Sequence, residues 1–215
     1  MKFSEAPCPP LYGAAHRAVK RYFGGRYRLV IEGQENLPGA GSYILAPTHR
    51  SDKDPMLAGI SVPDRAVRFM AKREMWTDIR RYKGLGQLVF LLGSFPVDRQ
   101  KPDPRSIQRA RRTLAGGQIL GLFAEGTRLS GERVGRLQKG VAHFALQAGC
   151  AVVPVGIASE RLSPGDTIGV VIGGPLKGHG RGAADKALFT EQLGVQLQTV
   201  FDQAQNIRET GGSSC

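Results

Sequence analysis

The 215-residue chain reads as a single layered α/β domain: a central mixed sheet flanked by helices, preceded by a short amphipathic N-terminal helix. Two observations predict it. Apolar runs of strand length alternate with longer segments whose apolar residues recur at helical spacing. Several of those runs also release a polar motif at their ends, as strands of an α/β sheet do where loops converge on a site. The length suits one domain with a sizeable core, with an N-terminal segment (1–24), the domain itself (25–208) and a flexible tail (209–215).

The elements follow in order. Residues 1–10 are Pro-rich and irregular. Over 11–23, Leu11, Ala15, Val19, Tyr22 and Phe23 recur at helical spacing, with His16, Arg17, Lys20 and Arg21 supplying a basic side. Such a helix either lies in a lipid interface or docks its apolar stripe on the core. Gly24-Gly25 is expected to break it. Residues 27–32 form a strand and 33–42 a turn-rich loop. Tyr43-Ile44-Leu45-Ala46, bounded by Pro47, is a buried strand. Asp54 before Pro55 and Met56-Leu57-Ala58 starts a helix, with Pro at the first helical position, that ends between 59 and 63. Residues 67–71 are another strand.

Residues 74–92 read as mostly helical and end in Leu88-Val89-Phe90-Leu91-Leu92, which serves as core or as a wall for an alkyl chain. Residues 93–99 are a short extended piece. The helix over 104–114 turns Ile107, Ala110 and Leu114 inward and keeps Arg105, Arg109 and Arg112 near the other face. A buried strand over 119–124 precedes a Gly-containing loop, 129–137. A helix over 139–148 points Val141, Phe144, Ala145 and Ala148 inward. Strands over 152–158 and 168–172 and a closing helix over 188–207 complete the domain.

Charge narrows the partners. Thirty Lys and Arg against eighteen Asp and Glu give +12 and a pI near 10.1. That balance fits a polyanionic partner: nucleic acid, an anionic membrane surface or a phosphorylated substrate. Only 7% of the residues are aromatic and no stacking or recognition-helix motif is evident, which argues against nucleic acid. Cys8, Cys150 and Cys215 have neither paired nor metal-type spacing and read as free thiols in a reducing compartment. With no apolar run of transmembrane length and no signal peptide, the expected location is the cytoplasm or the cytoplasmic face of a membrane.

The chemistry centres on His49 and Asp54. On a continuous helix, residues five apart lie about 140° apart and do not meet. A strand-to-helix turn between them is what folds the carboxylate back onto the imidazole. A carboxylate that fixes one ring nitrogen as N–H leaves the other free to accept a proton, which makes a general base. If the substrate brings its own hydroxyl, no serine nucleophile is needed. The alternative is that Asp54 only caps the helix and His49 is a loop histidine. Two further motifs leave apolar runs: Gly93-Ser94-Phe95-Pro96-Val97-Asp98-Arg99 and Glu125-Gly126-Thr127-Arg128. Arg99 and Arg128 offer guanidinium forks to a phosphate. Gly126 lets backbone N–H groups approach an anion, and Thr127 adds a hydroxyl. Glu125 reads as an arginine partner, in a role that could be purely structural.

Together these residues resemble the glycerophospholipid acyltransferase family, that of the 1-acylglycerol-3-phosphate acyltransferases. His49 and Asp54 match its His-x4-Asp motif, and the run from Gly93 to Arg99 is similar to its second. Phe123-Ala124-Glu125-Gly126-Thr127-Arg128 resembles Phe-Pro-Glu-Gly-Thr-Arg, with Ala124 for the usual proline. Val152-Val153-Pro154-Val155-Gly156-Ile157 resembles its apolar Val-Pro-Val run. Lys72 and Lys139-Gly140 are similar to the family's lysines before the second motif and at a helix start, with Gln138 replacing the aromatic usually found before Lys139.

The resemblance implies transfer of a fatty acyl group from an acyl-CoA or acyl carrier protein thioester to the hydroxyl of a phosphorylated glycerolipid. Lysophosphatidic acid is the first candidate; glycerol 3-phosphate and other lysolipids, lyso-ornithine lipid included, are the alternatives. It implies His49 and Asp54 as catalytic, Arg99 with Glu125, Gly126, Thr127 and Arg128 at the acceptor phosphate, and Lys72, Lys139 and Gly93 near substrate. It implies peripheral attachment to the membrane and neither a metal nor a cofactor beyond the thioester, since a thioester is already activated. The competing classes are a non-catalytic basic module and a membrane-surface protein that retains the fold without activity.

Overall fold

The structure, a computed structural model, describes residues 9–63, 65–72, 94–97 and 104–211. The expected helix over 74–92, with its apolar run from Leu88 to Leu92, lies outside them, as do Gly93, Arg99, Cys8 and Cys215.

Seven strands form one sheet: β1 (Arg28–Glu32), β2 (Tyr43–Pro47), β3 (Val67–Lys72), β4 (Phe95–Val97), β5 (Ile119–Gly121), β6 (Ala151–Ala158) and β7 (Thr167–Ile172). Their order is β1-β7-β6-β2-β5-β3-β4. Strands β6, β2, β5, β3 and β4 are mutually parallel, β7 runs antiparallel to β6, and β1 is parallel to β7. The sheet is therefore mixed, as expected. The parallel strands all end on one edge, and there the polar motifs emerge.

Among the described residues, five helices cover the two faces: α1 (Pro9–Arg26), α2 (Asp54–Ile60), α3 (Pro104–Ala115), α4 (Gly140–Ala148) and α5 (Ala183–Thr210). Alternation along β2 divides the core. Tyr43 and Leu45 pack with Phe23, Leu57 and Ile60 from α1 and α2, whereas Ile44 and Ala46 pack with Leu114, Phe144 and Leu197 from α3, α4 and α5. Because both faces of β2 and β6 are covered, both strands are buried along their whole length. The apolar stripe expected on the closing helix, Phe189, Leu193, Leu197, Val200, Phe201 and Ala204, is buried in α5, and so are Ala110 and Leu114 of α3, whereas Ala148, expected inward, is exposed at the end of α4.

Several boundaries differ. Strand β5 stops at Gly121, short of the expected 124, and α1 opens at Pro9, within the stretch expected to be irregular. Helix α1 continues through Gly24 and Gly25 to Arg26. Phe23 is fully buried, and the Tyr27 N–H closes onto the Phe23 carbonyl at 2.8 Å, so tertiary docking outweighs the weak glycine propensity. The same docking turns Val19 and Phe23 of α1 toward the core and leaves Arg17, Lys20 and Arg21 facing outward. Helix α5 begins at Ala183, five residues before the expected start at Leu188, where the Asp185 carboxylate accepts the Gly182 N–H at 2.7 Å. It also runs through Thr210 to a left-handed Gly211, beyond the expected domain end at 208. Close packing explains Gly169 of β7, where a Cβ would strike the Ala204 carbonyl of α5. Cys150 is buried, and burial pushes its thiol up to about 11.

Candidate active site

The site forms where β2, β5 and β6 end side by side. Beyond Pro47 the chain does not leave the sheet at once. The Thr48 N–H donates to the Val155 carbonyl at 2.9 Å, and the Thr48 hydroxyl accepts the Ile157 N–H at 2.9 Å. This extension of the ladder ties the exit of β2 to β6. The next residue, His49, begins a turn that ends at Asp54, the first residue of α2.

Asp54 is expected before the helix, ahead of a Pro at the first helical position. Lys53 is the N-cap residue instead, Asp54 opens the helix and Pro55 follows it. The carboxylate turns back over its own loop. Its Oδ2 accepts the N–H groups of Arg50 and of Ser51, the latter at 2.7 Å, and lies 3.0 Å from His49 Nδ1. Its Oδ1 accepts the hydroxyls of Ser51, at 3.0 Å, and of Ser159, just beyond β6. Because Oδ2 is an acceptor towards two backbone N–H groups, the ring contact requires the proton on Nδ1. Nε2 then keeps its lone pair, and it makes no hydrogen bond among the described residues. Asp54 is 0% exposed and His49 is 7% exposed, so the pair is sheltered with only the imidazole reaching solvent.

One face of that imidazole is covered. Phe123 stacks on it at 4.0 Å between centroids and is itself stacked on Phe69 at 5.6 Å. Gly121 permits this, since a Cβ there would collide with the Phe69 ring.

Glu125, expected among the anion contacts, has a different geometry. It is 3% exposed, and both carboxylate oxygens point inward. Oε2 accepts the His49 N–H at 3.0 Å, Oε1 accepts the Gly135 N–H at 3.0 Å, and Arg50 Nη1 bridges both at 2.9 and 3.0 Å. Arg50 spends its remaining donors on the carbonyls of His49, Gly131 and Arg133, and its guanidinium lies 4.5 Å over the Phe201 ring of α5. The pair fastens the His49 turn to the 129–135 loop and to α5. The arginine partner foreseen for Glu125 is thus its neighbour in space, Arg50, which carried no motif signal of its own.

Gly126 adopts a left-handed φ of 72° and turns the chain outward. Thr127 and Arg128 are exposed, and Arg128 pairs with Asp52 across the mouth of the turn at 2.6 Å. Lys139 is exposed at the N-cap of α4, and Lys72 ends β3 on the same sheet edge. Strand β4 reaches that edge two residues before Arg99. Sequence reasoning missed three contributors here: Arg50, Ser159 and the ring face of Phe123. Each acts through a long-range contact, and the only available signal was adjacency to a motif or a strand end.

The sheet edge thus gathers a carboxylate-held histidine and an exposed arginine. Residues 28–158, more than half of the chain, match the Acyltransferase family, and the protein belongs to it. It is 28% identical over 170 residues to the 1-acyl-sn-glycerol-3-phosphate acyltransferase of Bacillus subtilis (strain 168), covering 77% of this chain and 82% of that one. It is 33% identical over 158 residues to the lyso-ornithine lipid O-acyltransferase of Brucella abortus (strain 2308), covering 68% of this chain and 54% of that one. The crystal structure of the LPA acyltransferase PlsC from Thermotoga maritima shares the fold, with a TM-score of 0.70, 23% identity and coverage of 89% of this chain and 79% of that one.

Proposed function

We propose that the protein transfers a fatty acyl group from an acyl thioester, on coenzyme A or acyl carrier protein, to the free hydroxyl of a lysophosphatidic acid, giving phosphatidic acid. The observation that carries this reading is the contact of His49 Nδ1 with a fully buried Asp54, which leaves Nε2 as the free base at the mouth of the site. Nε2 takes the proton of the acceptor hydroxyl as its oxygen attacks the thioester carbonyl. The tetrahedral adduct then expels the thiolate, which recovers the proton from the imidazolium, and Asp54 stabilises that imidazolium in between. Arg128 and Thr127, together with Arg99, hold the acceptor's phosphate, and Gly126 gives them room. Lys72, Gly93 and Lys139 complete the substrate surroundings. Glu125 serves from beneath, fixing the backbone of His49 by accepting its N–H and by holding Arg50 against its carbonyl.

Among the described residues, no helix is long and apolar enough to cross a membrane. The exposed Arg17, Lys20, Arg21 and Tyr22 of α1 support attachment to an anionic, cytoplasmic membrane face, where the lipid acceptor resides. The likeness to a lyso-ornithine lipid acyltransferase favours a second reading, in which the acceptor is a lysolipid without phosphate. Radiolabelled acyl thioester offered with lysophosphatidic acid, glycerol 3-phosphate and lyso-ornithine lipid separates the two. Label in phosphatidic acid alone supports the first reading. Label in the ornithine lipid alone selects the second, and no lipid product from any acceptor refutes both.

A further inference from the structure

We propose that Ser159 is a positioning residue for the acyl transfer, acting on the base through the far oxygen of Asp54; the inference rests on the His49–Asp54 reading. Oδ2, which faces the imidazole, is already held by two backbone N–H groups of its own turn. Oδ1 has no backbone donor and depends on two hydroxyls. Ser51 comes from the same turn, whereas Ser159 comes from a different strand. The two serines are also 2.9 Å apart, and Ser51 accepts the Lys53 N–H at 3.2 Å. Three oxygens thus touch in a triangle, and two hydroxyl protons serve its three edges. In the arrangement that best satisfies a carboxylate, both protons point at Oδ1.

Ser159 is placed for this task. It follows the last residue of β6, two positions beyond Ile157, whose N–H is clamped to Thr48. It is 1% exposed, so its hydroxyl has no bulk water to turn to. On its other side lies a polar cleft lined by Arg161, Gln205 and Arg208. Ser159 is therefore the partition between a fully buried carboxylate and an open cleft, and it sets the carboxylate plane that in turn sets the imidazole. A donor lost at Oδ1 lets that plane rotate and weakens its hold on the imidazolium formed in the transition state, when substrate binding is complete.

The test is steady-state acyl transfer by the full chain, using acyl-CoA and whichever lysolipid it acylates, with thermal melts in parallel. Ser159→Ala is expected to lower kcat about tenfold, with KM for both substrates held within about twofold, the size of a lost hydrogen bond to a charged group. Bulk is controlled by the isosteric pair Ser159→Thr and Ser159→Val: Thr is expected to retain kcat within about threefold and Val to lose at least as much as Ala. On an Asp54→Asn background, Ser159→Ala is expected to add less than about twofold, because the two act as one unit. Unchanged kcat in Ser159→Ala, equal losses in Thr and Val, or a full tenfold added to Asp54→Asn each overturn the proposal while the dyad stands. Near-normal turnover in Asp54→Asn alone sinks the dyad, and the role of Ser159 falls with it.

Discussion

Two arginines of the site, Arg50 and Arg128, differ in almost every physical respect. Arg50 is enclosed: its side chain is 1% exposed, it pairs with a wholly buried Glu125, and it reaches three carbonyls and an aromatic face. Arg128 stands in solvent, 53% exposed, with a single ion pair to an Asp52 that is 78% exposed. Both guanidiniums lie on the same sheet edge, and the sequence offers the same side chain in each case. The difference teaches a division of labour. The enclosed pair holds backbone in place. The open pair holds little and can exchange its carboxylate for another anion.

The largest effect is expected where the enclosed half meets the chemistry. His49→Ala removes the proposed base while leaving Glu125 and Asp54 their other partners, mostly backbone N–H groups and the serines. Turnover is expected to fall by about 10²–10⁴-fold, measured as acyl transfer from a labelled thioester, with the melting curve nearly unchanged. Near-normal turnover would break the comparison at its centre, since the enclosed scaffold would then hold a residue the reaction does not use.

Next comes the enclosed pair itself. Glu125→Ala strands the buried Arg50 guanidinium and frees the N–H groups of His49 and Gly135. Loss of one member of such a pair costs about 3–5 kcal/mol, readable in a urea titration. Adding Arg50→Met is expected to return part of that loss, because the uncompensated charge disappears with it. A Glu125→Ala protein as stable as the parent, with a raised KM for acceptor, would instead place Glu125 among the substrate contacts.

A third variant separates scaffold from site. Gly169 lies in β7 against the α5 backbone, where an added Cβ meets the Ala204 carbonyl. Gly169→Ala is expected to cost about 1–3 kcal/mol by overpacking, while kcat of the folded protein stays within about twofold. A large fall in kcat without loss of stability would show that α5 shift is felt at the turn, and that the enclosed half is less rigid than its contacts imply.

The same contrast explains what the sequence disclosed. Layering, the exit of β2 at Pro47, and the inward stripes of α3 and α5 were legible because burial on two faces writes itself into local periodicity. His49 and Asp54 were legible because a short turn joins them. Arg50, Ser159 and Phe123 were not: their contacts to Glu125, Asp54 and His49 span 75, 105 and 74 positions, distances at which no local pattern survives. The run of α1 through Gly24-Gly25 was illegible for a related reason, since the deciding contact is the burial of Phe23 against strands far along the chain.

The smallest change in stability is expected at the open pair, and it sharpens the contrast most. An exposed ion pair of this kind contributes about 0–1 kcal/mol, so Arg128→Ala should leave the urea midpoint almost where it was. If Arg128 holds the acceptor's phosphate, KM for a phosphorylated acceptor rises by up to about tenfold, with KM for the thioester unmoved. Asp52→Asn asks the converse question. Asp52 occupies the guanidinium that a phosphate held by Arg128 would need, so on that reading its neutral replacement should lower that KM or leave it unchanged, and should do so most at low ionic strength, where exposed charges are least screened. Matching rises in KM from both variants would mean that the pair works as a unit to shape the turn, and the open half of the site would then be scaffold as well.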